Sequence, residues 1–327
     1  MEFAIIGPGA DELNLLKQLP KTFKGTRLYQ SDAITASAEF GEFVFQHFAG
    51  EDFDIWYSNY LLNHPVTLTG RSDEPLLELH IQFQNQFDII WDGYGKNTMR
   101  PYQYNLSYTP FMHNKASFLA GKVYQTFDIF FKLEYLQKVS GYSDTLSKFL
   151  ELVEKKQPGS LSPVDRYLTP FMISIIVSIL KCDFKDRLNH FYIECKVKEL
   201  LILMLGHIEE KNTETPIKLN DYDVECLYQV KDILLQDFEQ KLSLKELSRK
   251  AGVNEFKLKK GFKYLFGDSV FAYRHGFRME KAKIILLETK TPVHDIAYMT
   301  GFDYPENFQK AFKKYFGYTP ADLRKGK

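Results

Sequence analysis

The C-terminal third of the chain carries one residue pattern twice. The first copy runs Leu244, Leu247, Ala251, Gly252, Val253, then Leu258, Phe262 and Gly267. The second runs Val293, Ile296, Ala297, Gly301, Phe302, then Phe308, Phe312 and Gly317. Leu247 and Ile296 stand 49 positions apart, as do Gly252 and Gly301; Phe262 and Phe312 stand 50 apart, as do Gly267 and Gly317. One residue is gained inside the second copy and the register is otherwise kept. A pattern repeated at fixed spacing marks one supersecondary unit used twice.

Each copy has a local physical logic. Leu244, Leu247 and Ala251 fall at i, i+3 and i+7, one face of a short helix. Gly252 follows where that helix must turn sharply, and a left-handed backbone costs glycine little. Asn254 is placed to cap a second helix. That helix turns Leu258, Phe262, Leu265 and Phe266 inward and Lys257, Lys259, Lys260 and Lys263 outward. In the second copy Ile296 and Ala297 lie inside, Gly301 takes the turn and Asp303 is the expected cap. Pro305 falls in the first turn, where its missing N–H does no harm. Phe308, Ala311, Phe312 and Tyr315 are expected inward, with Glu306, Asn307, Gln309, Lys310 and Lys313 outward. Each copy therefore reads as a helix-turn-helix. Two such units in one short region can enter two successive major grooves of a duplex. A helical bundle with lysines on a solvated face would explain one copy, not two in register.

Charge agrees with this reading. The chain is neutral, with 42 Lys+Arg and 42 Asp+Glu. Residues 240–327 hold 19 basic and 9 acidic residues, which leaves 23 basic and 33 acidic in the rest. A basic C-terminal module suits phosphates, and the acidic remainder does not.

These stretches carry a resemblance. Residues 225–327 resemble the DNA-binding domain of the AraC/XylS family of bacterial transcription regulators. It rests on Gly252-Val253 to Phe262, on Arg278 to Leu287, on Ile296-Ala297 to Gly301-Phe302, and on Phe312 to Pro320 and Arg324. The resemblance implies seven helices, with Phe271–Leu287 containing the long one that joins the two motifs. It implies base-reading positions at Phe256, Lys257 and Lys260 in the first recognition helix and at Glu306, Asn307 and Lys310 in the second. Lys263 and Lys313 join them as expected DNA contacts. Glu306 departs from the small hydroxyl residue common there; a carboxylate can accept from a cytosine amino group or repel phosphate.

Residues 36–132 differ in kind. Runs rich in Phe, Tyr, Ile, Val and Thr occur at Phe53–Leu62, Val66–Thr69, Leu76–Phe83, Tyr104–Tyr108 and Val123–Phe131. Turn residues separate them: Asn63-His64-Pro65, Asp73-Glu74-Pro75, Asp92-Gly93 and Gly121. Leu77, Leu79, Ile81 and Phe83 alternate with Glu78, His80 and Gln82. Short strands so spaced indicate an antiparallel sandwich or barrel, matching by architecture the cupin-like sensor common in the family. His47, His64, His80 and His113 lie in this region without a His-x-His pair, so they read as isolated, hydrogen-bonded structural residues, and no metal ligand set is expected. The aromatic side chains, Trp56, Tyr57 and Trp91 among them, read as core or as pocket lining. Gly7-Pro8-Gly9 reads as a surface turn, because Pro8 removes an N–H that a phosphate loop would use.

From about Lys132 the pattern turns helical. Phe149, Leu150 and Val153 share a face, a second helix follows Pro163 or Pro170, and a third spans Leu188 to Ile208. The run Phe171–Leu180 is too short to span a membrane and reads as a buried helix. Glu209 to Pro216 is polar and reads as a linker. Met1-Glu2-Phe3 lacks the basic start of a secretory signal, and three cysteines without metal spacing suit a reducing cytosol.

The expected fold is α+β. A β-rich, barrel-like (cupin-like) effector domain spans 1–135, a helical dimerisation segment 136–210, a linker 211–220, and an all-α double helix-turn-helix domain 221–327. The expected function is that of a cytoplasmic, sequence-specific, effector-responsive DNA-binding transcriptional regulator, without enzymatic activity or cofactor. Its expected partners are double-stranded promoter or operator DNA, a small-molecule effector, a second copy of the chain and RNA polymerase, and no membrane. In the family the effector is often a sugar, an aromatic acid or a siderophore. Two alternatives stay open: a regulator switched by a protein partner, and a metal-dependent cupin enzyme fused to a DNA-binding module.

Overall fold

The aromatic and β-branched runs form strands because such side chains suit a pleated surface buried on at least one face. The computed structural model describes residues 4–6, 15–16, 26–91, 95–209, 219, 221–236 and 242–325. Met1-Glu2-Phe3, Gly7-Pro8-Gly9, the Asp92-Gly93 turn and all of the expected linker 211–220 except Leu219 lie outside the described residues. The described strands are β1 (Ala4–Ile6), β2 (Leu15–Leu16), β3 (Asp32–Ala38), β4 (Gly41–Ala49), β5 (Phe53–Leu62), β6 (Val66–Ser72), β7 (Leu76–Gln84), β8 (Phe87–Trp91), β9 (Gly95–Met99), β10 (Gln103–Thr109), β11 (Met112–Phe118) and β12 (Lys122–Phe131). Then come α1 (Leu133–Ser140), α2 (Asp144–Glu154), the short β13 (Gly159–Ser160) and β14 (Arg166–Tyr167), α3 (Pro170–Leu180) and α4 (Asp186–Glu209). Seven further helices follow among the described residues: α5 (Asp221–Gln236), α6 (Leu244–Ala251), α7 (Glu255–Phe266), α8 (Val270–Glu288), α9 (Val293–Met299), α10 (Pro305–Phe316) and α11 (Pro320–Lys325). The chain divides into two compact units, Met1–Tyr167 with Ile175–Glu210, and Leu168–Ser174 with Lys211–Lys327.

In the first unit the strands make two antiparallel sheets. One runs β1-β6-β11-β8-β9; the other runs β13-β10-β7-β12-β5-β4-β3-β2, with β14 also paired to β10. Both orders are open paths, so the architecture is a sandwich of two sheets and not a closed barrel. Phe43, Phe45, Trp56 and Tyr124 of the larger sheet meet Leu68, Phe87, Ile89, Ala116 and Phe118 of the smaller one in a single buried cluster. The opposite face of the larger sheet carries Ile55, Tyr57, Leu79, Ile81, Phe127 and Ile129, all buried. On that face sits α4, with the Phe48 ring 4.7 Å from His190 and Tyr104 Oη 3.0 Å from His207 Nδ1. The central strands of this sheet are therefore covered on both faces.

Helices of the second unit begin and end as their side chains dictate. Ser243 and Glu246 form a reciprocal capping box on α6. Gly252 closes α6 at φ 72°, Gly301 follows α9 at φ 76°, and both lie in the left-handed region that favours glycine. Gly261 lets α7 approach α5 closely: a Cβ there would stand 2.7 Å from Leu227 Cδ1. The second motif has its own core of Met279, Ala282, Leu286, Ile296, Ala297, Phe308 and Phe312. Two expectations fail here. Tyr304, not Asp303, is the residue preceding α10, and its side chain makes no capping hydrogen bond; Pro305 already fixes the first turn. Tyr315 is 38% exposed rather than inward, because Phe312 and Phe316 fill the core side of the last turn.

Candidate functional site

Asn254 accepts a hydrogen bond from the Lys257 N–H at 2.8 Å and so starts α7. Leu258, Phe262 and Phe266 are fully buried, which fixes the rotation of the helix and turns Phe256, Lys259, Lys260 and Lys263 to the surface. Phe256 is 67% exposed. Lys257 differs from its neighbours: its ammonium lies 2.6 and 2.7 Å from the two carboxylate oxygens of buried Asp223 on α5. It ties α7 to α5 as well as facing outward in part.

In α10, buried Phe308 and Phe312 set the rotation in the same way. Glu306, Asn307, Gln309, Lys310 and Lys313 are all exposed. Behind the second turn, Arg278 of α8 lays its guanidinium over the Phe302 ring at 4.3 Å and donates from Nε to the Thr300 carbonyl. That contact holds the turn shape through a backbone carbonyl and a cation–π stack. Helix α8 touches α7 on one side and α9 and α10 on the other, so one rigid element joins both motifs.

In the first unit the structure gathers a group that sequence reading took as isolated. His80 on β7 is opposite Asp128 on β12, Asp128 is opposite Trp56 on β5, and Trp56 is opposite His47 on β4. Directly opposed residues share a face, so these four form one row on the side facing the smaller sheet. His80 Nδ1 lies 2.7 Å from Asp128 Oδ1 and 3.8 Å from Glu78 Oε1. Thr126 Oγ1 donates to Asp128 Oδ2 at 2.7 Å. Burial alone would push the imidazole pKa down, but the Asp128 and Glu78 carboxylates outweigh it and raise it to about 10. Burial raises the Glu78 carboxyl. His80 is therefore not isolated but grouped with two carboxylates. His47 fits the hydrogen-bonded structural role expected of it: its Nε2 is 3.2 Å from Asp54 and its ring stacks on Trp56 at 4.5 Å. The available signal was Glu78-x-His80 on one strand; Asp128 joins it only through the pairing of β7 with β12.

Residues 41–219 match a family model described as the regulatory protein PchR N-terminal domain, and residues 247–326 match one described as a helix-turn-helix domain. The first match covers more than half of the chain. The chain belongs to this family of regulatory proteins. Its C-terminal domain is of the AraC type that the duplicated motif resembles. The right origin-binding protein of Escherichia coli K12 is 35% identical over 99 residues, 29% of this chain and 34% of that protein. The HTH-type transcriptional regulator GlxA of Rhizobium meliloti is 27% identical over 168 residues, 51% of this chain and 48% of that protein. The chain thus spans about a third to a half of the length of these curated relatives. The C-terminal domain of AraT, a response regulator from Geobacillus stearothermophilus, aligns at 30% identity and a TM-score of 0.30 over 31% of this chain and 85% of that one. No helix among the described residues is long and apolar enough to cross a membrane.

Proposed function

We propose that this protein is a sequence-specific DNA-binding transcriptional regulator, switched by an effector that its N-terminal unit receives. The observation that carries the reading is the pair of helix-turn-helix motifs, each with a left-handed glycine turn and a rotation-locked second helix with polar residues outward. Phe256, Lys257, Lys260 and Lys263 of α7 and Glu306, Asn307, Lys310 and Lys313 of α10 are the proposed contacts. The charge excess of residues 240–327 supplies the phosphate attraction, and a few side chains read base edges. A protein acting on promoter DNA in this way works in the cytoplasm.

The proposed division of labour is an effector domain over 1–135, a dimerisation segment over 136–210, a linker over 211–220 and a DNA-binding domain over 221–327. Support for dimerisation comes from α4. Its inward face buries Ile193, Val197, Leu200, Leu201 and Met204. Its outward face exposes Leu188 (56%), Phe191 (63%) and Ile202 (68%), with Cys195 exposed among them. Leu188, Cys195 and Ile202 stand seven residues apart with Phe191 between the first two, the spacing of a helix pairing with another helix, and the exposed Lys198 interrupts the apolar run.

Selection of bound duplexes from a random pool, with and without candidate effectors, tests the function. The expected product is an enriched site with two short boxes about 10 base pairs apart, one helical turn. Recovery of unenriched sequence at physiological salt would reject sequence-specific binding.

A further inference from the structure

The two faces of the larger sheet are buried for different reasons. One packs aliphatic and aromatic side chains beneath helices; the other, between the sheets, carries a polar island. Glu78, His80 and Asp128 place an imidazole nitrogen and two carboxylates within 4.8 Å of one another. Around them stand Thr126, Gln82 and Ser58, brought alongside by the β7–β12–β5 register, and the rings of Phe87 and Trp56. The charged groups that act on His80 are Asp128 and Glu78, and those that act on Glu78 are Asp128 and His80; no Lys or Arg is among them. Two carboxylates and one imidazole thus face one another inside the sandwich.

A second, independent observation is that this spot is incomplete in hydrogen bonds. His80 Nε2, Asp128 Oδ1 and Gln82 Oε1 are buried and have no hydrogen-bond partner among the described residues. Asp128 is only 8% exposed and Gln82 is fully buried. Asp128 Oδ1 approaches His80 Nδ1 to 2.7 Å as an ion pair. Most buried polar atoms are satisfied, and an imidazole nitrogen left so beside two carboxylates is placed to meet a bound ion. Asp128 is also oriented as a metal ligand is, with Thr126 holding one oxygen and leaving the other toward His80.

We infer that Glu78, His80 and Asp128 bind a first-row divalent metal ion. The donor set is one imidazole nitrogen and carboxylate oxygens, which suits Zn²⁺, Mn²⁺ or Fe²⁺ rather than a thiolate-seeking ion. Side-chain adjustments bring three donors onto one ion. The inference concerns the first unit alone and does not depend on DNA binding.

The full-length chain, stripped with a chelator and dialysed, is titrated with Zn²⁺ and Mn²⁺ by calorimetry and with Co²⁺ by visible absorption. One ion per chain is expected, with the ligand-field bands of a nitrogen–oxygen site. His80→Ala and Asp128→Asn should each weaken binding by at least about tenfold, since even outer-shell losses reach that range. His294→Ala, in an exposed pair with Asp295, should leave binding unchanged. Should the core variants fail to fold, the wild-type melt decides: a saturating ion that binds the native state must raise Tm. Absence of stoichiometric binding, a melt unmoved by saturating metal, or binding that folded His80→Ala and Asp128→Asn proteins retain in full would each overturn the assignment.

Discussion

Lys257 and Lys260 stand three residues apart on α7 and meet different surroundings. Lys260 is exposed, whereas Lys257 is held by buried Asp223. Lys260→Ala should weaken binding to the selected site more than to random DNA, by on the order of 1–3 kcal/mol if it reads a base edge. Lys313→Ala, near the end of α10, should weaken both by a similar factor. Lys257→Ala should instead lower the melting temperature, because it removes an ammonium held 2.6 Å from a buried carboxylate. Fluorescence anisotropy on the two DNAs separates these outcomes; equal losses for Lys260→Ala would make it a phosphate contact. A different single-residue effect belongs to Glu280 on α8. It is 6% exposed and its Oε1 has no hydrogen-bond partner among the described residues. Burial pushes its carboxyl up from 4.5 to about 6, against the opposing pull of Lys283. The folded state therefore holds a proton that the unfolded chain has released between those values. This group's contribution to stability is full below the unfolded pKa and is lost as pH rises through the folded one. Glu280→Gln should stabilise the protein at pH 7 by on the order of 1–2 kcal/mol and give little gain at pH 4. Urea melts at both pH values check this, and an equal change at the two would count against it.

At the scale of the element, the turns carry the two motifs. Gly252 and Gly301 have positive φ, a region where a β-branched residue is strained. At Gly252 a Cβ would also lie 2.7 Å from the Tyr222 hydroxyl oxygen. Gly252→Val and Gly301→Val should each cost on the order of 1–2 kcal/mol or more, read as lowered chemical-denaturation midpoints. Unchanged midpoints for both would contradict the turn geometry. The two recognition helices share this turn but not their starts. Asn254 caps α7 with its side chain, while α10 relies on Pro305 after Tyr304. The expected cap at Asp303 was a reading by analogy between the copies; the residue gained inside the second copy shifts the helix start past it.

At the scale of the whole molecule, the exposed apolar residues Leu188, Phe191 and Ile202 of α4 set a test of assembly. Phe191→Asp combined with Ile202→Asp should convert a dimer to a monomer in sedimentation of the full chain, and should lower apparent DNA affinity because two linked binding events become one. A wild-type chain that sediments as a monomer at micromolar concentration would remove the basis for that interface. The C-terminal helices were legible residue by residue, since their signals are local: helical spacing at Leu247, Ala251, Leu258 and Phe262, glycine at the turn, asparagine at the cap. The strands were legible as runs, β5 over Phe53–Leu62 and β12 ending at Phe131, because alternation and turn residues are short-range patterns too. The alternation in β7 told which residues share a face, but not what covers each face. A one-sided strand would have sent Glu78, His80 and Gln82 to water. Helix α4 instead covers the Leu79 and Ile81 side, and the smaller sheet covers the other. His80 and Asp128 are 48 positions apart in the chain, and only the pairing of β7 with β12 brings them together. Local interactions along the chain decide helices, caps and turns; pairing between distant strands and the burial of both sheet faces are decided by packing of the whole, and that is where the acid–histidine cluster arises.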